Sequence, residues 1–206
     1  MLGYPTETVY GFGAAVTPEG VDLLHRLKGR DESKPFLVLL PELDEASASG
    51  LSLTHVARGL ARRHWPGPLT LILSDPERRY PNGVRSAGGG VAVRLSSHPF
   101  VQAFMRAFGK PLISTSANVC GGEPARTVDD MKRAARGRPG FLRLWLIDGG
   151  NLIPSSPSTI VDCTGPDVRV VRRGTLPLED IQALEGDAED GRISGGPARR
   201  TGDAQR

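Results

Sequence analysis

Short apolar runs that alternate with capped helical patterns constrain this chain more than any other feature. Thr17-Pro18 reads as a helix cap followed by a first-turn proline. Val21, Leu23, Leu24 and Leu27 then recur at helical spacing until Gly29 stops the pattern. Pro35 to Leu40 is a short apolar run of strand length. Thr54 opens a second helix that ends at Trp65-Pro66-Gly67-Pro68. Leu69 to Leu73 and Gly90 to Leu95 read as strands. A third helix runs from Phe100 to Phe108 after His98-Pro99 and closes at Gly109. Leu112-Ile113 is a buried strand, and Thr127 with Asp130 forms a capping box ahead of Met131 to Arg136. Leu142 to Ile147, Thr159 to Cys163 and Val168 to Val171 read as strands, and Pro177 starts a last short helix. Helices alternate with strands, and strands then cluster late. That order predicts an α/β domain with a mixed sheet and helices packed on it.

The remaining 22 residues, 185–206, hold Ile193 as their one large apolar side chain. Such a segment cannot bury enough surface to repay its ordering and is expected to be a disordered tail. Residues 1–184 then form one domain. The longest apolar run, Phe36 to Leu40, is far below the roughly 20 residues of a membrane span. The first residues lack the basic and apolar regions of a secretory signal. Two cysteines, Cys120 and Cys163, supply neither a disulfide framework nor a four-ligand zinc site. A cytoplasmic, membrane-free protein is expected. With 26 basic and 23 acidic residues the net charge is +3, too modest to mark a nucleic-acid binder.

Four polar segments interrupt the scaffold where strands and helices end, which is where function concentrates. Pro5 to Gly13 joins hydroxyls to glycines. Lys28 to Pro35 carries three cations, Lys28, Arg30 and Lys34, in a chain whose cations are otherwise almost all arginine. Such a cluster suits phosphate oxygens, and equally a solvated turn. Ser114-Thr115-Ser116-Ala117-Asn118 follows a buried strand directly and reads as a ligand loop at a parallel strand's carboxyl end. Ser158-Thr159 pairs with Arg172-Arg173-Gly174 across two late strands. Arg94, inside an apolar strand, should be buried and needs an anion, either a ligand or an acidic side chain. The chain has no P-loop, no GxSxG elbow and no histidine spacing suited to a metal.

Taken in order, these pieces resemble the YrdC-like family of threonylcarbamoyl-AMP synthases. The resemblance rests on PTETVYGFG (5–13), the KxR motif Lys28-Gly29-Arg30, PGPLTLIL (66–73), VAVRLSSHP (91–99), STSAN (114–118) and STIVD (158–162). It implies a twisted mixed sheet around a basic cavity. It also implies an enzyme that joins L-threonine, bicarbonate and ATP, with Mg2+ carried on the phosphates and no dedicated metal residues. The product feeds threonylcarbamoyladenosine formation in tRNA. By the same resemblance Lys28, Arg30, Lys34, Ser116, Asn118 and Arg172 would bind ATP, with Lys28 and Arg30 catalytic. Thr6, Arg94, Ser114 and Ser158 would hold threonine. Relatives usually carry a helix and a strand ahead of the PTET segment, whereas four residues precede it here, so either the start is set too late or a sheet strand is missing. Leu39 stands where longer relatives place a histidine near threonine. The short form implied works with other subunits that transfer the product to tRNA. The alternative is a non-catalytic protein that holds double-stranded RNA or tRNA in the same basic cavity.

Overall fold

The computed structural model describes residues 1–29, 34–119, 121–153 and 155–181. Nine strands form one mixed sheet among them: β1 (Leu2–Pro5), β2 (Tyr10–Ala15), β3 (Leu37–Leu39), β4 (Leu69–Ser74), β5 (Gly90–Arg94), β6 (Leu112–Ser116), β7 (Trp145–Leu146), β8 (Thr159–Asp162) and β9 (Arg169–Arg172). Their spatial order is β7-β1-β2-β6-β3-β5-β4-β8-β9. The pairs β1–β7, β3–β5 and β4–β8 are parallel, and the other neighbours are antiparallel. The helices are α1 (Pro18–Lys28), α2 (Glu45–Ala48), α3 (His55–His64), α4 (Pro99–Phe108) and α5 (Val128–Ala135).

The caps read from the sequence act as expected. Thr17 accepts a bond from the Gly20 amide, Thr54 from that of Ala57, and Thr127 and Asp130 close a reciprocal box. Gly29 and Gly109 end α1 and α4 at φ of 56° and 65°, the left-handed turn that glycine adopts without strain.

The alternating pleat divides the sheet into two unlike faces. Tyr10, Phe12, Val38, Leu69, Leu71, Leu73, Val91, Val93, Ile113 and Val161 point to one face. There they meet Leu24 and Leu27 of α1, Leu60 of α3 and Met131 of α5 in the main core. The opposite face is split. Tyr4, Leu39 and Leu112 pack under Val101 and Met105 of α4 in a smaller core. Beyond that helix the same face carries Thr70, Ala92, Arg94, Ser114 and Ile160, and it borders a cavity instead of a second core.

Three expectations change. The four residues ahead of Thr6 do form a strand, since Leu2–Pro5 pairs with both β2 and β7. The Ser114–Ser116 hydroxyls belong to β6 itself rather than to a loop after it, and β6 runs antiparallel to both neighbours. Long-range pairing with β2 carries that strand past its apolar end. The apolar stretch 142–147 is mostly not strand: Phe141–Arg143 is a 3-10 turn and only Trp145–Leu146 pair with β1. At the sheet edge a single neighbour is available to hold it. The expected tail lies outside the described residues, as do Arg30 and Cys120, while Cys163 is buried. No helix among the described residues is long and apolar enough to cross a membrane.

Candidate active site

A cavity of about 480 Å³ opens over the polar half of the sheet. Thr6, Arg94, Ser114, Ser116, Ser158 and Arg172, all expected site residues, line it together. They come from the β1–β2 turn, β5, β6, the start of β8 and the end of β9, so the sheet order alone brings them into one place.

Thr6 is locked by its own turn. Its Oγ1 accepts from the amides of Thr8 and Val9 at 3.2 Å each and donates to the Val9 carbonyl at 2.6 Å. Ser114 is fixed from below by Tyr4, whose phenol donates to Ser114 Oγ at 2.7 Å. Burial pushes the Tyr4 phenol far up, so it stays a neutral donor.

Lys28 joins two of the polar segments. It sits on the last turn of α1, where the helix dipole favours a cation, and is 4% exposed. Its Nζ donates to the Ser116 carbonyl at 2.6 Å, Asn118 Oδ1 at 2.7 Å and Ser116 Oγ at 3.3 Å. Ser116 Oγ also donates to Asn118 Oδ1 at 2.7 Å, and Asn118 Nδ2 donates to the Gly122 carbonyl at 2.5 Å. Residues some 90 positions apart in sequence thus form one charged, hydrogen-bonded cluster at the cavity edge. Lys34 is exposed and does not line the cavity, although its neighbour Pro35 does.

Two arginines face the same space. Arg94 is 5% exposed, donates Nε to the Gly67 carbonyl at 3.0 Å and Nη2 to Glu7 Oε1 at 2.7 Å. Of the two anions open to it on sequence, an acidic side chain is the one in place. Arg172 donates Nε and Nη2 to the Ser158 carbonyl at 3.2 and 2.9 Å, and Nη2 to Ser158 Oγ at 3.2 Å. Ser158 Oγ shares a further bond with Thr70 Oγ1 at 2.9 Å. Burial, and then the nearby Arg94 charge, push the Arg172 guanidinium below its ordinary value. Its hydrogen-bond partners among the described residues are uncharged, so an anion entering the cavity would offset both effects.

A second, more open cavity of about 490 Å³ adjoins the first, with Glu123, Pro124 and Arg126 on both walls and Asn118 and Arg133 on the second. Among the described residues no group of three His, Cys, Asp or Glu side chains gathers as a metal site requires.

The geometry has counterparts among known proteins. A family model that spans Sua5, YciO and YrdC proteins, described as telomere recombination, matches residues 1–174. The chain belongs to the Sua5/YciO/YrdC family. Within that family it is 35% identical over 176 residues to a threonylcarbamoyl-AMP synthase of Marinobacter nauticus, covering 82% of this chain and 88% of that one. Its fold superimposes on the crystal structure of P. abyssi Sua5 complexed with L-threonine with a TM-score of 0.81 at 30% identity. That match covers 90% of this chain but 53% of the longer Sua5 chain. The E. coli YciO crystal structure matches with a TM-score of 0.74 at 25% identity, covering 87% of this chain and 85% of that one. The mixed α/β fold expected for the family is therefore the fold observed.

One residue of the site escaped the sequence reading. Glu7 lies between the two threonines of the PTET segment, yet its carboxylate is the partner of Arg94. An acid set among hydroxyls, and a cation buried in an apolar strand, were the two halves of the signal.

Proposed function

We infer that this chain is a threonylcarbamoyl-AMP synthase, which condenses L-threonine, bicarbonate and ATP to threonylcarbamoyl-AMP and pyrophosphate. The observation that carries this reading is the meeting of the Lys28–Ser116–Asn118 cluster with Arg94 and Arg172 around one cavity. The Marinobacter nauticus relative, similar over most of both chains, supports it by name.

The chemistry asks little of the protein by way of a nucleophile. Bicarbonate loses hydroxide to give carbon dioxide, the threonine amine adds to its carbon, and the proton that the amine then loses converts the hydroxide to water, leaving a carbamate. A carbamate oxygen attacks the α-phosphorus of ATP, and the bond to the pyrophosphate oxygen breaks. The substrates supply both reacting groups, so the protein must hold two anions together and stabilise the charge that builds on phosphorus. A volume of about 480 Å³ is in the usual range for a small-ligand pocket, and the adjoining cavity extends it.

Lys28 and Arg30 carry the catalytic role, bound to the phosphates of magnesium-ATP with Lys34 beside them. The magnesium enters as part of that substrate. Ser116 and Asn118 hold the nucleotide, and Lys28 sets their orientation. Arg172, with uncharged partners, takes a phosphate oxygen. Thr6, Ser114 and Ser158 surround the amino acid, and Arg94 meets its carboxylate. The product then serves tRNA modification in the cytoplasm, with separate transfer subunits and a direct tRNA contact as the partners of this step. A non-catalytic RNA-binding role has less support. Shape-driven RNA binding needs cations spread over a long surface, whereas Arg94 is buried in the wall of one concave pocket and Lys28 is buried at its edge.

The test is incubation with ATP, L-threonine and 13C-bicarbonate, followed by mass spectrometry and a pyrophosphate assay. Labelled threonylcarbamoyl-AMP and an equal amount of pyrophosphate are expected. Pyrophosphate release that ignores threonine, with no adenylate formed, would refute the reading.

A further inference from the structure

Glu7 crosses from the β1–β2 turn to the junction of β5 and α4, where its carboxylate accepts three hydrogen bonds. Oε1 accepts from Arg94 Nη2 at 2.7 Å and from the Ser97 amide at 2.9 Å, and Oε2 accepts from Ser96 Oγ at 2.5 Å. Ser96 Oγ in turn accepts from the His98 amide at 3.2 Å, at the residue that precedes α4. The side chains of Arg94 and Glu7 are 6% and 18% exposed, so water screens the pair little. Burial alone would raise the Glu7 carboxyl, but Arg94 and the bonds from Ser96 and Ser97 outweigh it and hold the group below its ordinary value. It is therefore an anion at neutral pH. Arg94 and Arg172 repel one another across the cavity, and Glu7 neutralises the first of them.

We propose that Glu7 is a positioning residue for the amino-acid subsite: it fixes the Arg94 guanidinium and the Thr6 turn in the geometry that receives the substrate carboxylate. This rests on the reading of Arg94 given above. The strap joins the two elements that flank the subsite, since Thr6 precedes Glu7 directly and Ser96 and Ser97 follow Arg94 by two and three positions. A guanidinium held at Nε by Gly67 and at Nη2 by Glu7 has one orientation left. The entropy of fixing it is then lost on folding rather than on binding. A glutamine at position 7 keeps the size but offers one acceptor oxygen and an NH2 group that cannot accept, so at least one of the three donors loses its partner.

The experiment compares the full-length wild type with Glu7→Gln, Glu7→Asp and Ser96→Ala. Titration calorimetry follows L-threonine and threoninol, which lacks the carboxylate, and steady-state kinetics follow threonine and ATP. Glu7→Gln is expected to weaken threonine binding about tenfold or more and to bring its affinity close to that of threoninol. The KM for ATP should change by less than about twofold. Glu7→Asp, which keeps the charge, should recover part of the preference, and Ser96→Ala, which removes one bond, should fall between Glu7→Gln and wild type. Equal losses for threonine and threoninol, or for threonine and ATP, would overturn the proposal. So would a folded Glu7→Gln protein with wild-type threonine affinity. If Glu7→Gln fails to fold, the Ser96→Ala and Glu7→Asp ratios decide on the same terms. A wild type that binds threonine with a preference over threoninol but forms no adenylate would instead count against the synthase reading and leave Glu7 in place.

Discussion

Gly174 follows β9 in a space that admits no side chain. A Cβ added there would lie 2.2 Å from the Pro157 carbonyl oxygen, 2.4 Å from the Ser158 carbonyl carbon and 2.5 Å from the Thr159 nitrogen. All three are backbone atoms, so no rotamer change relieves the overlap, and the start of β8 would have to move by about 1 Å to restore ordinary contact. The Gly174 amide bonds Thr159 Oγ1 at 3.1 Å and the Thr175 amide bonds the Pro157 carbonyl at 2.9 Å, so both interactions would be strained. Overpacking a well-packed site costs about 1–3 kcal/mol, and a clash with backbone atoms alone places Gly174→Ala at or above the top of that range. For a chain of this size that corresponds to a melting temperature roughly 6–12 °C lower. The same shift would move the Ser158 carbonyl that anchors Arg172, so activity should fall even in the fraction that remains folded. Gly165→Ala is the control. Its nearest atom, the Asp167 carbonyl oxygen, is 3.9 Å away, and a change below about 0.5 kcal/mol is expected. Thermal melts followed by circular dichroism, with threonine-dependent pyrophosphate release measured alongside, would check both. Gly174→Ala melting within about 2 °C of wild type, with full activity, would refute the packing argument.

Lys28→Ala and Arg30→Ala should each reduce threonine-dependent turnover by at least roughly 100-fold, the scale of losing a preorganised charge donor; near-native rates in both would remove the phosphate assignment. Arg172→Lys keeps the charge but loses the fork on the Ser158 carbonyl, and should raise the KM for ATP more than that for threonine. The stability contributed by Glu7 has a definite pH window. Its folded pKa lies below the ordinary 4.5, so the contribution is complete above about pH 4.5 and is lost as pH falls through the folded value. The melting difference between wild type and Glu7→Gln should therefore be largest near neutrality and shrink on acidification below about pH 4.5. A difference that grows with acid would contradict the sign.

Local chemistry made the helices legible. A hydroxyl cap, a first-turn proline or a left-handed glycine marks the bounds of α1, α3, α4 and α5 because each acts within a few residues. The strands that escaped are those whose pairing is set from afar. Tyr10–Ala15 alternates aromatic residues with glycine, and its polar approach disguises it as a turn. In the sheet Gly13 faces Tyr4 and Leu112, where an added Cβ would meet both at 2.9 Å, so the small residue is a packing requirement. Ser114 and Ser116 sit in β6 because β2 and β3 supply the ladder, which no local pattern records. Among the candidate site residues, clustered motifs announced Lys28, Ser116, Asn118 and Arg172. Glu7 did not stand out because its significance depends on a partner 87 positions away. Arg94 showed the converse, a local need for an anion without an address.

A threonylcarbamoyl-AMP synthase of this shape must receive both the amino acid and the nucleotide in one cavity. A crystal structure with L-threonine and α,β-methylene-ATP bound tests this most directly. The threonine carboxylate should lie against Arg94, with the α-phosphate beside it and the polyphosphate reaching toward Lys28 and the Ser116–Asn118 cluster. A nucleotide bound away from that cavity, or a threonine whose carboxylate turns from Arg94, would contradict it.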